Sequence, residues 1–138
     1  MNKIAEENIL VIGGGTGMGK AVAIKLSQEG FNVAISGRRA EKLRETVDKS
    51  ELKIKSHTVD VVDRISVAQL FTWFEKNIGK LDILINAAGI NTANRTIENL
   101  DPNQWDNLVQ TNLTGAYNCV REGLEKMRPQ KSGLIILI

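Results

Sequence analysis

The sequence predicts an α/β fold, an open, doubly wound parallel sheet with helices on both faces. Three observations carry that prediction. Short apolar runs alternate along the chain with segments of helical period. The runs are continuous rather than alternating in polarity, as strands covered on both faces are. The first of them, Ile9-Leu10-Val11-Ile12, meets a burst of glycines and then a helix-period segment, the order of a phosphate-binding βα unit. At 138 residues the chain suits one domain, residues 1–138, with a core large enough to fold.

The elements follow in order. Asn8 to Ile12 is the first strand. A helix runs from about Gly17 to Glu29, with Ala21, Val22, Ile24 and Leu26 apolar and Gly30 placed as a C′ glycine. Phe31 to Ser36 is the second strand. The second helix, from Arg39 to about Lys49, sets Leu43 and Val47 four apart. Lys53 to Val59 is the third strand. Asp63 caps a third helix with the stripe Val67, Leu70, Phe71, Phe74 and Ile78, closed by Gly79. Leu81 to Ile85 is the fourth strand. The loop from Asn86 to about Leu100 is long for a connector, which makes it a candidate for function. Asp101 and Pro102 open a long helix as N-cap and first helical residue. It extends to about Arg128, with Trp105, Leu108, Val109, Leu113, Ala116, Val120 and Leu124 on its apolar side, and Pro129 and Gly133 end it. Leu134 to Ile138 is a fifth buried strand, and a further crossover is expected after it.

Composition narrows the function. With 18 basic and 16 acidic side chains and a net charge of +2, the charges are too balanced and too scattered for a nucleic-acid binder. One cysteine, Cys119, excludes an internal disulfide and fits a reducing compartment. No apolar stretch reaches the ~20 residues of a membrane span. Acids in Met1 to Glu7 stand where a signal peptide would be apolar. A cytoplasmic protein with no membrane partner is expected. No residue group suggests a metal site, and His57 and Cys119, each lacking triad partners, read as structural.

Three phosphate-loop patterns can be set against Gly13-Gly14-Gly15-Thr16-Gly17-Met18-Gly19. The G-x-G-x-x-G fingerprint fails, because Met18 or Lys20 stands where its last glycine belongs. The triphosphate loop G-x-x-x-x-G-K-[ST] nearly fits from Gly14 to Lys20, but Ala21 has no hydroxyl for a metal ion. G-x-x-x-G-x-G fits as Gly13, Gly17 and Gly19. At the end of the second strand stand Ser36-Gly37-Arg38-Arg39, with no carboxylate until Glu41. In dinucleotide folds an acid there takes a ribose 2′-hydroxyl and an arginine accommodates a 2′-phosphate. Guanidinium matches phosphate by its planar fork of donors. Arg38 and Arg39 therefore favour NADP over NAD; alternatively they are the solvated start of the second helix.

The sequence resembles the short-chain dehydrogenase/reductase family. The matching motifs are Gly13 to Gly19, Asp60-Val61 after the third strand, Asn86-Ala87-Ala88-Gly89 after the fourth, and Asn112 in the long helix. Their order and spacing agree over the whole chain. The resemblance implies a Rossmann-like sheet, here truncated after its fifth strand. It implies cofactor contacts from Gly13, Gly15, Thr16, Gly17, Met18 and Gly19, beside those expected of Arg38 and Arg39 from their position after the second strand. It places Asp60 and Val61 at the adenine; the alternative for Asp60 is an Asx turn leaving the third strand. Asn86, Ala87, Ala88 and Gly89 would lie along the cofactor ribose. Asn112, an amide among Leu108, Val109, Leu113 and Ala116, would bend the helix and hold a relay water, a catalytic role; otherwise it is a satisfied core amide. Two positions depart from the family pattern. Ile12 stands where a threonine usually precedes the first glycine, and Ala87 where a second asparagine is common.

The implied activity is hydride transfer between NADP and a carbonyl or alcohol substrate, by a homo-oligomer that is a dimer or tetramer. The family's serine and Tyr-x-x-x-Lys would follow Ile138. Tyr117 has Arg121 four residues on, and is not that tyrosine. These 138 residues are therefore expected to be inactive alone. Two other readings stand beside this one: a non-catalytic dinucleotide-binding module, and a P-loop nucleotide-binding protein using Gly14 to Lys20.

Overall fold

The computed structural model describes residues 7–50 and 53–138, so all but Glu7 of the acidic N-terminal stretch lies outside the described residues. The strands are β1 (Asn8–Ile12), β2 (Asn32–Gly37), β3 (Lys55–Thr58), β4 (Ile83–Asn86) and β5 (Leu134–Leu137). The helices are α1 (Gly17–Gln28), α2 (Ala40–Ser50), α3 (Arg64–Asn77), α4 (Pro102–Leu108) and α5 (Gly115–Gln130). All strand pairs are parallel, in the order β3-β2-β1-β4-β5. The order reverses between β1 and β4, and ligands of open α/β sheets bind beyond the strand ends at such a switch point.

The continuous apolar run of β1 has a direct cause. Ile9 and Val11 face one core with Val33, Ile35, Ala23 of α1 and Leu43 of α2. Leu10 and Ile12 face the other with Ala34, Phe71 and Phe74 of α3 and Cys119 of α5. Both sides of the strand are therefore dry, as the doubly wound prediction requires. The outer strands differ from the prediction of five buried ones. β3 exposes Lys55, Ser56 and Thr58 at one edge. At the other edge, Leu134 and Leu137 of β5 are more than half exposed, at 51% and 57%.

Two helix starts follow local chemistry. The Asp63 carboxylate accepts from the Ile65 and Ser66 amides, and Asp101 accepts from those of Asn103 and Gln104, with Pro102 leading α4. Replacing Asp63 with alanine is expected to cost about 1 kcal/mol. A urea denaturation midpoint unchanged from wild type would show the cap to be idle.

The long helix needs correction. Residues Val109–Thr114 form a π-helical turn, so α4 and α5 are two helices joined through it. The helix also continues through Pro129 to Gln130, where Lys131 adopts a left-handed conformation at φ 51°. The face of α5 that meets the sheet is Gly115, Asn118, Cys119, Gly123 and Met127. Trp105, Leu113 and Leu124 are exposed. Close approach explains the exchange of faces. A Cβ on Gly123 would stand 2.8 Å from Leu84 Cδ2, so only a small residue lets the helix settle there. Glycine contributes nothing to an apolar period, and the larger residues of the next face dominate it.

Cys119 is fully buried, and desolvation pushes its thiol from 9.0 up to about 12. The folded protein thus keeps the proton that the unfolded chain releases above 9.0. The associated stability is complete below that value and declines as pH rises toward 12. Denaturation from about pH 8 to pH 11 is expected to show a steeper loss in wild type than in Cys119→Ala; parallel curves would refute it.

Candidate functional site

A cavity of about 250 Å³ opens at the C-terminal ends of β1, β2 and β4. The glycine turn forms its floor. Gly13 has φ +85°, and a Cβ there would lie 2.6 Å from the carbonyl carbon of Ala87. The Gly13 and Gly14 amides donate to the Ser36 carbonyl at 2.8 and 3.0 Å, which pins the turn to the end of β2. The Ala87 amide donates to the Ile12 carbonyl at 2.8 Å, a backbone tie that needs no hydroxyl at position 12. A Cβ on Gly19 would overlap the Gly13 carbonyl. The turn and the start of α1 are thus in backbone contact.

Thr16 sits at the N-cap of α1 and makes no side-chain bond to the helix amides. Those of α3 and α4 are capped by aspartates. The first turn of α1 brings donors and a positive dipole end to the cavity.

Gly15, Thr16, Gly17, Met18 and Gly19 line the cavity, as do Ala87, Ala88 and Gly89. Arg38 and Arg39 line its β2 side, both exposed and without an ion pair among the described residues. Lys42 lines it too, one helical turn beyond Arg39. Its Nζ donates to both Glu45 oxygens, at 3.0 and 3.1 Å. That hydrogen bond holds the Glu45 carboxyl below its usual range. The described lining thus carries three cations and no carboxylate.

Three expected site residues stand behind the lining. Asp60 is exposed, and its Oδ1 accepts from the Val62 amide at 3.2 Å, which closes an Asx turn; Val61 beside it does line the cavity. Asn86 is buried, and its Oδ1 accepts from the Ala88 amide at 3.2 Å, shaping the loop whose next residues form the wall. Asn112 lies in the π-helical turn and is exposed, not enclosed among apolar residues. Its Oδ1 accepts from the Ile90 amide at 2.8 Å, and its Nδ2 donates to the Ile90 carbonyl at 2.9 Å. This paired clasp binds the loop after β4 to the turn and brings Ile90 and Thr111 to the cavity.

Sequence reading passed over Lys42, Ile90 and Thr111. Lys42 could have been found as a cation at i+3 from Arg39. Ile90 and Thr111 carry no signal of their own. No cluster of metal-ligating side chains occurs among the described residues, and none of their helices is long and apolar enough to cross a membrane.

A family model described as short chain dehydrogenase matches residues 7–138. The chain belongs to the short-chain dehydrogenase family. It is 31% identical over 134 residues to the 3-oxoacyl-(acyl-carrier-protein) reductase FabG of Staphylococcus aureus, covering 94% of this chain and 54% of that protein. It is 33% identical over 138 residues to a 3beta-hydroxysteroid dehydrogenase of Mediterraneibacter gnavus, covering 98% of this chain and 50% of that one. Among solved structures, a variant of actinorhodin polyketide ketoreductase with NADPH superimposes with a TM-score of 0.89 at 28% identity, covering 96% of this chain and 52% of that chain. The chain spans about half the length of the curated relatives it matches. In this member of the family, Gly13, Gly15 to Gly19, Val61 and Ala87 to Gly89 meet around one cavity, with Asn112 clasping its outer wall.

Proposed function

We propose that this chain is the cofactor-binding part of an NADP-dependent oxidoreductase acting on a small carbonyl or alcohol substrate. The observation that carries the reading is the trio Arg38, Arg39 and Lys42 at a cavity without a carboxylate. A ribose 2′-hydroxyl asks for an acceptor, and a 2′-phosphate asks for cations. The NADPH in the ketoreductase neighbour supports the same choice.

The residues fit that group. The bare backbone at Gly13 and Gly19 leaves room that a Cβ would close, and the uncapped start of α1 presents amides to a pyrophosphate. Arg38 and Arg39 would hold the 2′-phosphate, Asp60 and Val61 the adenine, and Asn86 to Gly89 the ribose wall. When bound, the nicotinamide supplies the hydride. Asn112 keeps the wall in place through Ile90, and its carbonyl oxygen retains a second lone pair for a water in a proton relay. The exposed Leu113 of the π-helical turn and Tyr117 and Leu124 of α5 support association with a second copy.

Titration of the protein with NADPH, NADH and Mg-ATP, followed by fluorescence of Trp73 and Trp105, tests the reading. NADPH is expected to bind at least about tenfold more tightly than NADH, the value of one charge-assisted contact. Tighter binding of Mg-ATP would return the glycine turn to the P-loop reading.

A further inference from the structure

Asn118 lies on α5 and is 3% exposed. Its Nδ2 donates to the Val61 carbonyl at 2.9 Å, joining residues 57 apart in sequence. Its Oδ1 has no partner among the described residues. A buried amide satisfied on one side is a poor choice for a face that only fills space. Gly115, one turn earlier, meets the same residue. A Cβ there would stand 2.6 Å from Val61 Cγ2. Helix α5 therefore grips Val61 twice, its carbonyl through the Asn118 amide and its side chain through bare backbone.

Val61 lines the cavity and belongs to the turn between β3 and α3. Ahead of Val61, the Val59 amide donates to the Gly37 carbonyl at 2.9 Å and ties the start of the connector to β2; the remaining polar bonds of the turn are local. The Asp60 amide donates to Ser66 Oγ, the Val62 amide to the Asp60 carboxylate, and the Asp63 amide to the Asp60 carbonyl. Strand β3 is short and at the sheet edge, and none of these bonds involves the Val61 carbonyl. The Val61 carbonyl is held from α5, through the Asn118 amide.

We propose that Asn118 is a positioning residue for the adenosine end of the cavity, acting through the Val61 carbonyl. The proposal rests on the NADP reading above. It also makes α5 and its π-helical turn the common support of two walls, one through Val61 and one through Ile90.

The test measures binding of NADPH, adenosine 2′,5′-bisphosphate and reduced nicotinamide mononucleotide to wild type and Asn118→Ala, with the unfolding midpoint of each. The variant is expected to bind the two adenosine-bearing ligands about three- to tenfold more weakly, the range of one hydrogen bond, and the mononucleotide unchanged. Loss of the orphaned Oδ1 offsets part of the lost bond, so the midpoint stays close to wild type. Gly115→Ala, which displaces Val61 from its second contact, is expected to give the same split between ligands and decides the matter if Asn118→Ala does not fold. An equal loss for all three ligands, or no loss, overturns the assignment of Asn118 alone. Wild-type protein that fails to bind NADPH overturns the NADP reading and this proposal with it.

Discussion

Replacing Arg38 with alanine is expected to weaken NADPH binding about ten- to a hundredfold, with NADH binding nearly unchanged. The estimate follows from the value of a hydrogen bond to a charged group, about 1.5–3 kcal/mol. The full value applies for a structural reason. Arg38 has no ion pair among the described residues, so no carboxylate competes for its guanidinium. Lys42 differs, because Glu45 already engages its ammonium. Lys42→Ala is therefore expected to reduce NADPH affinity less than Arg38→Ala does. Salt should weaken NADPH binding by wild type more than by Arg38→Ala, since one screened contact is gone. Fluorescence titrations at two ionic strengths measure both effects. An equal loss of NADH affinity would show Arg38 to serve the shared part of the dinucleotide, and the preference for NADP would then need another source.

The second large effect is expected from Gly13→Ala. Two penalties coincide there. The residue sits at φ +85°, which an L side chain tolerates at a cost of about 1–2 kcal/mol. The new methyl would also meet Ala87 carbonyl carbon at 2.6 Å, and backbone cannot rotate aside as a side-chain tip can. Overpacking of that kind adds about 1–3 kcal/mol. A total of about 2–5 kcal/mol is a large share of a domain stability of about 5–15 kcal/mol. NADPH binding should be lost with it, because the turn and the wall after β4 are forced apart. Gly17→Ala separates the two penalties. Gly17 has φ +55° but a Cβ there would meet nothing within 4 Å, so only the conformational cost of about 1–2 kcal/mol applies. Chemical denaturation of the two variants side by side checks the difference; equal losses would mean that contact with Ala87 is not what makes Gly13 necessary.

Sequence alone yielded the features whose causes are local. Asp63 and Asp101 cap helices because a carboxylate two residues before a free amide can reach it, whatever lies elsewhere. The run Ile9 to Ile12 revealed two covered faces because strand geometry alternates side chains between them. The glycine turn was legible for the same reason, since strand, turn and helix are consecutive. Long-range features left no such trace. Nothing near Asn118 announces that its partner is Val61, or near Asn112 that its partner is Ile90. The burial of α5 was misread because its sheet-facing side is built from Gly115, Cys119 and Gly123. Hydrophobic period registers bulk, and this contact requires the lack of it.

The π-helical turn has a rotational consequence. An α-helix advances about 100° per residue, and a π segment inserts about one residue beyond what the ladder needs. Counted as a continuous helix, Trp105 and Cys119 fall within about 40° of each other, on one face. The inserted residue turns α5 by one step relative to α4, and Trp105 faces solvent at 55% exposure while Cys119 is fully buried. The two helices are thereby out of phase, like gears offset by a tooth. The π-helical turn between them presents Asn112 to the loop after β4, while α5 seats Gly115 and Gly123 on the sheet.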